Sequence, residues 1–168
     1  MKFRIRKNNH WSGLHFGFTL KRKLEFEAEF DDSCIYSIDG VDSWDINKLY
    51  GISTSFLHHS QSARIGWRCT DGMNIDLYAY TYAYKKRIIK DDKDAYLGSV
   101  IAGERFYCGI EDLGDEYLYT FKKRPNDKPV IIRDKKKKDY WPFCYFLTPY
   151  FGGTKKSPHE MLFFIKRL

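Results

Sequence analysis

Several things are scarce in this chain, and each absence closes a class of function. No run of about 18 apolar residues occurs, so no membrane-spanning helix is expected. The first residues, MKFRIRKNNH, lack the apolar core of a signal peptide and read as a first strand, which points to synthesis and folding in the cytoplasm. The four cysteines, Cys34, Cys69, Cys108 and Cys144, form no CxxC pair, which argues against a zinc ribbon. Each lies in or beside an apolar or aromatic run, so reduced, structural thiols are expected. Leu- and Ala-rich helical periodicity is missing almost throughout.

What the chain has in excess is aromatic rings. Aromatic residues make up 18% of its 168 residues, with 13 Tyr and 13 Phe. Such residues suit pleated, half-buried surfaces better than helices, so the expectation is an all-β protein. The length fits one domain, 1–168. A net charge of +7 permits an acidic partner, though surface lysines also serve solubility.

Period-2 runs recur between turn signals. KLEFEAEF (23–30) turns Leu24, Phe26, Ala28 and Phe30 inward and its glutamates outward. LHFGFTL (14–20) puts Leu14, Phe16, Phe18 and Leu20 on one side, and the polar Lys21-Arg22-Lys23 between these runs predicts a hairpin. Residues 31–61 break the rhythm, with Ser43 placed to cap a short helix over 44–50, and at most one or two short helices are expected in this stretch. SARIGWRCT (62–70) and IDLYAYTYAY (75–84) resume the alternation across a Thr70-Asp71-Gly72 turn. Further runs at 96–102, 104–111, 116–123, 129–134, 143–151 and 161–168 give the cadence of a two-sheet antiparallel β-sandwich. Lys135 to Lys138 form a four-lysine turn read as a solvated loop.

The order and texture of these strands resemble the concanavalin-like jelly roll of legume lectins, laminin-G-like modules, glucanases and several polysaccharide lyases. The likeness rests on YAYKKR, on YLGSVIAGERFYCGIE before DEYLYTF, and on the closing PYFGG. It implies that MLFFIKRL returns to pair near the N-terminus, and that the sheet face turned from the core holds sugars. More narrowly, HHSQSARIGWR (58–68), IDLYAYTY (75–82) and PYFGGTKKSPHEM (149–161) resemble a family of small proteins from gut bacteria and their bacteriophages, which carries no established activity.

One constellation stands out. If Ile65 and Trp67 enter the core with Leu77 and Ala79, then Arg64 and Arg68 share the opposite face with Asp76, Tyr78, Tyr80 and Tyr82. Phenols and guanidiniums together suit an acidic saccharide, the rings stacking on sugar faces and Arg holding a carboxylate or sulfate. The same tyrosines equally serve as sheet stabilisers, or as anchors of an oligomer or protein interface. His58 and His59 precede this hairpin, and Tyr150 and His159 lie at and beyond the PYFGG turn, so all four join the candidate ligand-binding set.

The leading expectation is a non-catalytic module that binds a glycan or a protein partner, plausible in a phage virion or on a cell surface. The alternative is a polysaccharide lyase, with a histidine and a tyrosine as base and acid and an arginine neutralising the uronate. Against catalysis stand the missing Gln-x-His and Lys-x-Gly-x-Tyr signatures of alginate lyases and the missing Glu-x-Asp-x-x-Glu pattern of glucanases. Nucleic-acid binding ranks last, because the positive charges are scattered and balanced by DDKD (91–94) and EDLGDE (111–116). No metal is expected: His58 and His59 on an extended segment would point apart, and Asp31, Asp32, Asp39, Asp42 and Asp45 fit no EF-hand spacing. Gly152-Gly153 lacks a following helix and reads as a turn, and no cofactor is implied.

Overall fold

The computed structural model describes residues 1–13, 15, 17–38, 40–136 and 143–168. Among these residues the chain forms thirteen strands, numbered in chain order. A six-stranded antiparallel sheet runs β1 (Lys2–Ile5), β13 (Met161–Arg167), β3 (Lys23–Phe30), β9 (Arg105–Asp112), β10 (Glu116–Lys122), β11 (Val130–Lys135). A second sheet runs β2 (Phe18–Thr19), β12 (Cys144–Leu147), β4 (Asn47–Ser53), β5 (Gln61–Cys69), β6 (Asn74–Ala83), β7 (Lys86–Arg87), with β8 (Tyr96–Ile101) also paired to β6. The two sheets pack as a sandwich, the all-β architecture expected from the alternation. As the resemblance implied, β13 returns to β1, with Phe163 opposite Phe3.

The core is the meeting of two alternating inner faces. Phe26, Phe30, Phe106 and Phe163 come from the first sheet, and Ile65, Trp67, Leu77 and Ala79 from the second. The Phe30 and Trp67 rings lie 5.2 Å apart between the layers. Two fully buried tyrosines of β10 lock the sheets in register by hydrogen bonds: the Tyr117 and Tyr119 hydroxyls meet Thr54 Oγ1 at 2.5 Å and Thr81 Oγ1 at 2.6 Å. A buried hydroxyl left without such a partner would cost about 1–3 kcal/mol, so these pairs fix one alignment of the layers. The four thiols are free and buried.

Three expectations are corrected. Residues 18–19 and 23–30 do not pair as a hairpin; β2 joins β12 in the second sheet, while β3 is flanked by β9 and β13 in the first. The apolar side expected over 14–20 does not enter the core where it is described, Phe18 and Leu20 being 65% and 79% exposed; Leu14 and Phe16 lie outside the described residues. Residues 44–50 are not a helix. A 3-10 turn at Val41–Trp44 leads directly into β4, and a further 3-10 turn spans Asp32–Cys34. The arrhythmic stretch is therefore mostly 31–46, plus the 54–60 connection from β4 to β5. One helical turn, α1 (Asp92–Ala95), lies outside it. The four-lysine stretch is not a solvated loop where it is described: Lys135 ends β11, and Lys136 is 5% exposed, its ammonium 3.2 Å from Asp112 Oδ1 and over the Tyr117 ring. Lys137, Lys138 and Asp39 lie outside the described residues.

The Thr70-Asp71-Gly72 turn forms as read. Gly72 takes φ +76°, and the Asp71 carboxylate accepts from the backbone N–H groups of Met73 and Asn74.

Candidate binding site: a cationic, tyrosine-lined pocket

The register of β5 and β6 sets the outer face of the second sheet. Arg64 lies opposite Tyr80, Gly66 opposite Tyr78, Arg68 opposite Asp76, and Ser62 opposite Tyr82. The phenols and both guanidiniums thus share the face turned from the main core. The fourth phenol, Tyr84, leaves the ladder: β6 ends at Ala83, and Tyr84 and Lys85 take positive φ in the turn to β7.

The face divides into a closed half and an open half. In the closed half Arg68 is only 6% exposed and both of its Nη atoms are committed, while its Nε is buried without a partner among the described residues. Its Nη1 donates to the Trp44 carbonyl and the Asp92 carboxylate, each at 2.9 Å, and its Nη2 donates to the Tyr78 hydroxyl at 2.8 Å. The Trp44 and Tyr78 rings lie 5.3 and 5.1 Å from the guanidinium carbon. Asp92, presented by α1 and capped into it by Asp91, also receives Arg87 at 2.8 Å. Burial pushes the Tyr78 hydroxyl up to about 12, with Asp76 and Asp92 adding to the effect. Ile46 and Ala95 pack on Tyr78 and Tyr80 as a small second apolar cluster. Arg68 and Tyr78 are therefore a buried buttress for the face, with the half-buried Asp76 beside them.

The open half is a cavity of about 260 Å³ lined by Lys48, His58, His59, Ser62, Arg64, Tyr80, Tyr82, Tyr150 and Gly153. Half-buried Arg64 makes no hydrogen bond or ion pair with the described residues. Burial brings its guanidinium down to about 10, against the favourable influence of Tyr80, Tyr145, Tyr150 and Tyr82. The Lys48 ammonium sits 4.6 Å from the Tyr80 ring centroid and 5.9 Å from that of Tyr150. Burial, then Arg64, brings Lys48 down to about 8, with Asp45 opposing. Among the described residues no carboxylate lines the cavity; Asp45 acts on Lys48 from just outside it, so positive charge outweighs negative in a site walled by phenols.

The histidines depart from expectation in an instructive way. His58 and His59 lie in a turn, not on an extended segment, and their rings approach to 4.1 Å instead of pointing apart. His59 stands edge-on to Tyr82 at 5.9 Å. Burial, then Arg64 and His59, hold His58 at about 4, so it is neutral at ordinary pH. His159 is not brought to the cavity; its Nε2 meets the Ser33 carbonyl at 2.8 Å, beside the start of β13. Among the described residues no three His, Cys, Asp or Glu side chains gather as a metal site. Asp31 instead caps the first 3-10 turn through the Ser33 N–H.

Tyr150 reaches the pocket because the PYFGG turn is bound to β4 backbone to backbone. Tyr150 N–H donates to the Lys48 carbonyl and Lys48 N–H to the Tyr150 carbonyl, each at 2.8 Å, and Gly152 N–H donates to Asn47 Oδ1 at 2.7 Å. A Cβ on Gly152 would lie 2.6 Å from the Ile46 carbonyl and 2.8 Å from Lys48 Nζ, so only glycine admits this approach. Lys48 and Arg87 are the functional side chains that strand alternation missed. Arg87 lies 5.2 Å from the Tyr80 ring centroid.

No protein-family model matches the chain, and no curated protein sequence does. Among solved structures it is similar to an alginate lyase from Klebsiella pneumoniae, at 14% identity and a TM-score of 0.55, over 87% of this chain and 59% of that one. It is also similar to a functionally unknown protein from Saccharomyces cerevisiae, at 7% identity and a TM-score of 0.54, over 99% of this chain and 87% of that one. The chain thus spans 59% of the length of the Klebsiella enzyme. At these identities the likeness is one of fold, the concanavalin-like jelly roll. Among the described residues, no helix is long and apolar enough to cross a membrane.

Proposed function

We propose that residues 1–168 form one jelly-roll module that binds an anionic saccharide in the pocket of Arg64, Lys48, Tyr80, Tyr82 and Tyr150. The observation that carries this reading is Arg64: a half-buried guanidinium with no anionic partner among the described residues, in a cavity without a carboxylate lining. A charge held out of water in that way is costly unless a ligand pairs with it. A carboxylate or sulfate ester offers the bidentate partner that a guanidinium fits, and the half-buried Tyr82 offers ring surface and a hydroxyl to a sugar. The motif likeness to gut-bacterial and phage proteins suggests a virion or cell-surface setting. The experiment is calorimetric titration with uronate and sulfated oligosaccharides beside their neutral counterparts. Binding of the anionic series, lost in Arg64→Ala, supports the reading; equal binding of neutral and anionic sugars refutes it.

His58 favours a second reading, a lyase. A neutral imidazole and the phenols of Tyr80, Tyr82 and Tyr150 share one cavity with Arg64, the parts that β-elimination from a uronic acid requires. His58 would take the proton beside the carboxylate, Arg64 would hold the enolate charge, and a tyrosine would protonate the departing oxygen. New ultraviolet absorbance from unsaturated uronate, abolished in His58→Ala, separates this reading from simple binding.

A further inference from the structure

The geometry points to Lys48 as an amine nucleophile that captures a small anionic carbonyl compound, an α-keto acid or an aldehyde acid, as a reversible imine, with Arg64 holding the carboxylate. This inference does not depend on the saccharide reading. Lys48 lines the cavity, packs against the rings of Tyr80 and Tyr150, and makes no ion pair with the described residues. Its charged surroundings are Arg64 from β5 and Arg87 from β7, both cationic, and Asp45 just before β4. Two guanidiniums against one carboxylate disfavour a third positive charge, and burial acts in the same direction. The amine is thereby available at mildly basic pH, as in other lysines activated by desolvation and a neighbouring cation.

The step balances within the pocket. The nitrogen lone pair attacks the carbonyl carbon, and the carbonyl oxygen gains a proton as the nitrogen loses one, giving a carbinolamine. A phenol of the pocket, Tyr80 or Tyr150, protonates that hydroxyl, water leaves, and the nitrogen lone pair closes the C=N bond. One carbonyl compound and one amine give one imine and one water. The phenolate recovers its proton from the iminium or from solvent, and no oxidant or reductant is consumed. Arg64, free of any partner among the described residues, is what selects an anionic carbonyl over a neutral one.

The test is reductive trapping of the folded chain with glyoxylate and cyanoborohydride at about pH 8, followed by peptide mapping, where a desolvated lysine should outpace exposed ones about tenfold or more. Glyoxylate adduct concentrated on Lys48 is expected. Arg64→Gln should lower trapping of glyoxylate about tenfold more than trapping of propionaldehyde, a neutral control that reads only the lost influence of the guanidinium on the amine. Lys48→Arg and Lys48→Met should both abolish the focused adduct, circular dichroism reporting their folding. Adduct spread evenly over the lysines of the wild-type chain overturns the proposal, whatever the variants do. So does an Arg64→Gln chain that traps glyoxylate as well as the wild type. Failure of oligosaccharide binding alone leaves this result intact and counts only against the saccharide reading.

Discussion

The Lys48 ammonium lies 4.6 Å from the ring centroid of Tyr80, and the Arg87 guanidinium lies 5.2 Å from the same ring. Tyr80 is therefore the spacer that lets two cations from strands on either side of it share a small region. Its role is as much electrostatic as apolar, because the face of an aromatic ring carries partial negative charge.

Tyr80→Ala should destabilise the fold by about 3 kcal/mol, since it removes a buried ring and leaves both cations facing each other. Tyr80→Phe should recover most of that loss, because the ring is what the cations contact. Urea titration of the two variants decides it: equal losses in both would assign the stability to the hydroxyl and contradict the spacer role.

The closed half of the face makes an opposite prediction to the open half. Arg68→Met takes the guanidinium donor from the Tyr78 hydroxyl, leaving it only Asp76 Oδ2 at 3.4 Å, and frees Asp92 from one of its two arginines, which should cost about 2–4 kcal/mol. Ligand binding per folded molecule should change little. Arg64→Met should do the reverse, sparing stability or raising it while removing affinity for anions. A chain in which Arg68→Met and Arg64→Met lose affinity equally would erase the division between buttress and pocket.

Much of this division was not visible in the sequence, for reasons that individual residues make plain. Strict alternation through Ile65, Trp67, Leu77 and Ala79 was enough to place Arg64 beside Tyr80 and Arg68 beside Asp76, because the period of a strand fixes its faces. Lys48 was hidden because β4 carries a bulge between Lys48 and Tyr50. That irregularity turns Leu49 and Tyr50 both toward the core, so the local pattern loses its period and Ser43 reads as a helix cap. Tyr50-Gly51-Ile52-Ser53 was the available signal, β-favouring residues around a glycine. The β2–β12 pairing joins residues about 125 positions apart, and no local pattern says which sheet a short edge strand will join. Asp92 looked like surface charge; its commitment to Arg68 and Arg87 depends on where α1 lands.

Gly51 tests the floor of the pocket. It pairs with Arg64 across β4 and β5, and an added Cβ would lie 2.6 Å from the Arg64 Cα and also press on the Ala63 backbone. Backbone cannot swing aside as a side chain does, so Gly51→Ala should cost about 2 kcal/mol or more and shift Arg64. A Gly51→Ala chain of wild-type stability would show that β4 and β5 are less closely apposed than described.

The pH dependence of stability follows from His58 and Lys48 together. Burial, with Arg64 and His59 adding, holds His58 at about 4 against an ordinary 6.5, so the unfolded chain binds more protons between those values. Stability should therefore rise with pH across that interval. Lys48 repeats the relation higher up: its folded value of about 8 lies below the ordinary 10.5, so stability should rise again from about 8 upward. The phenols oppose it above 10. Tyr36 and Tyr78 are pushed by burial to about 12, so the folded chain keeps protons that the unfolded chain releases, and stability falls. Discounted for solvent access, each of the two rising limbs is worth about 1–2 kcal/mol. Urea midpoints followed across this range should show His58→Gln flattening the acid limb alone and Lys48→Met flattening the basic limb alone. Lys48→Met should also be more stable than the wild type at neutral pH, where the buried ammonium is a cost. A wild-type profile that declines steadily from neutral pH upward, unchanged by Lys48→Met, would mean that the ammonium is well solvated and that the pocket does not hold it against its neighbouring guanidiniums.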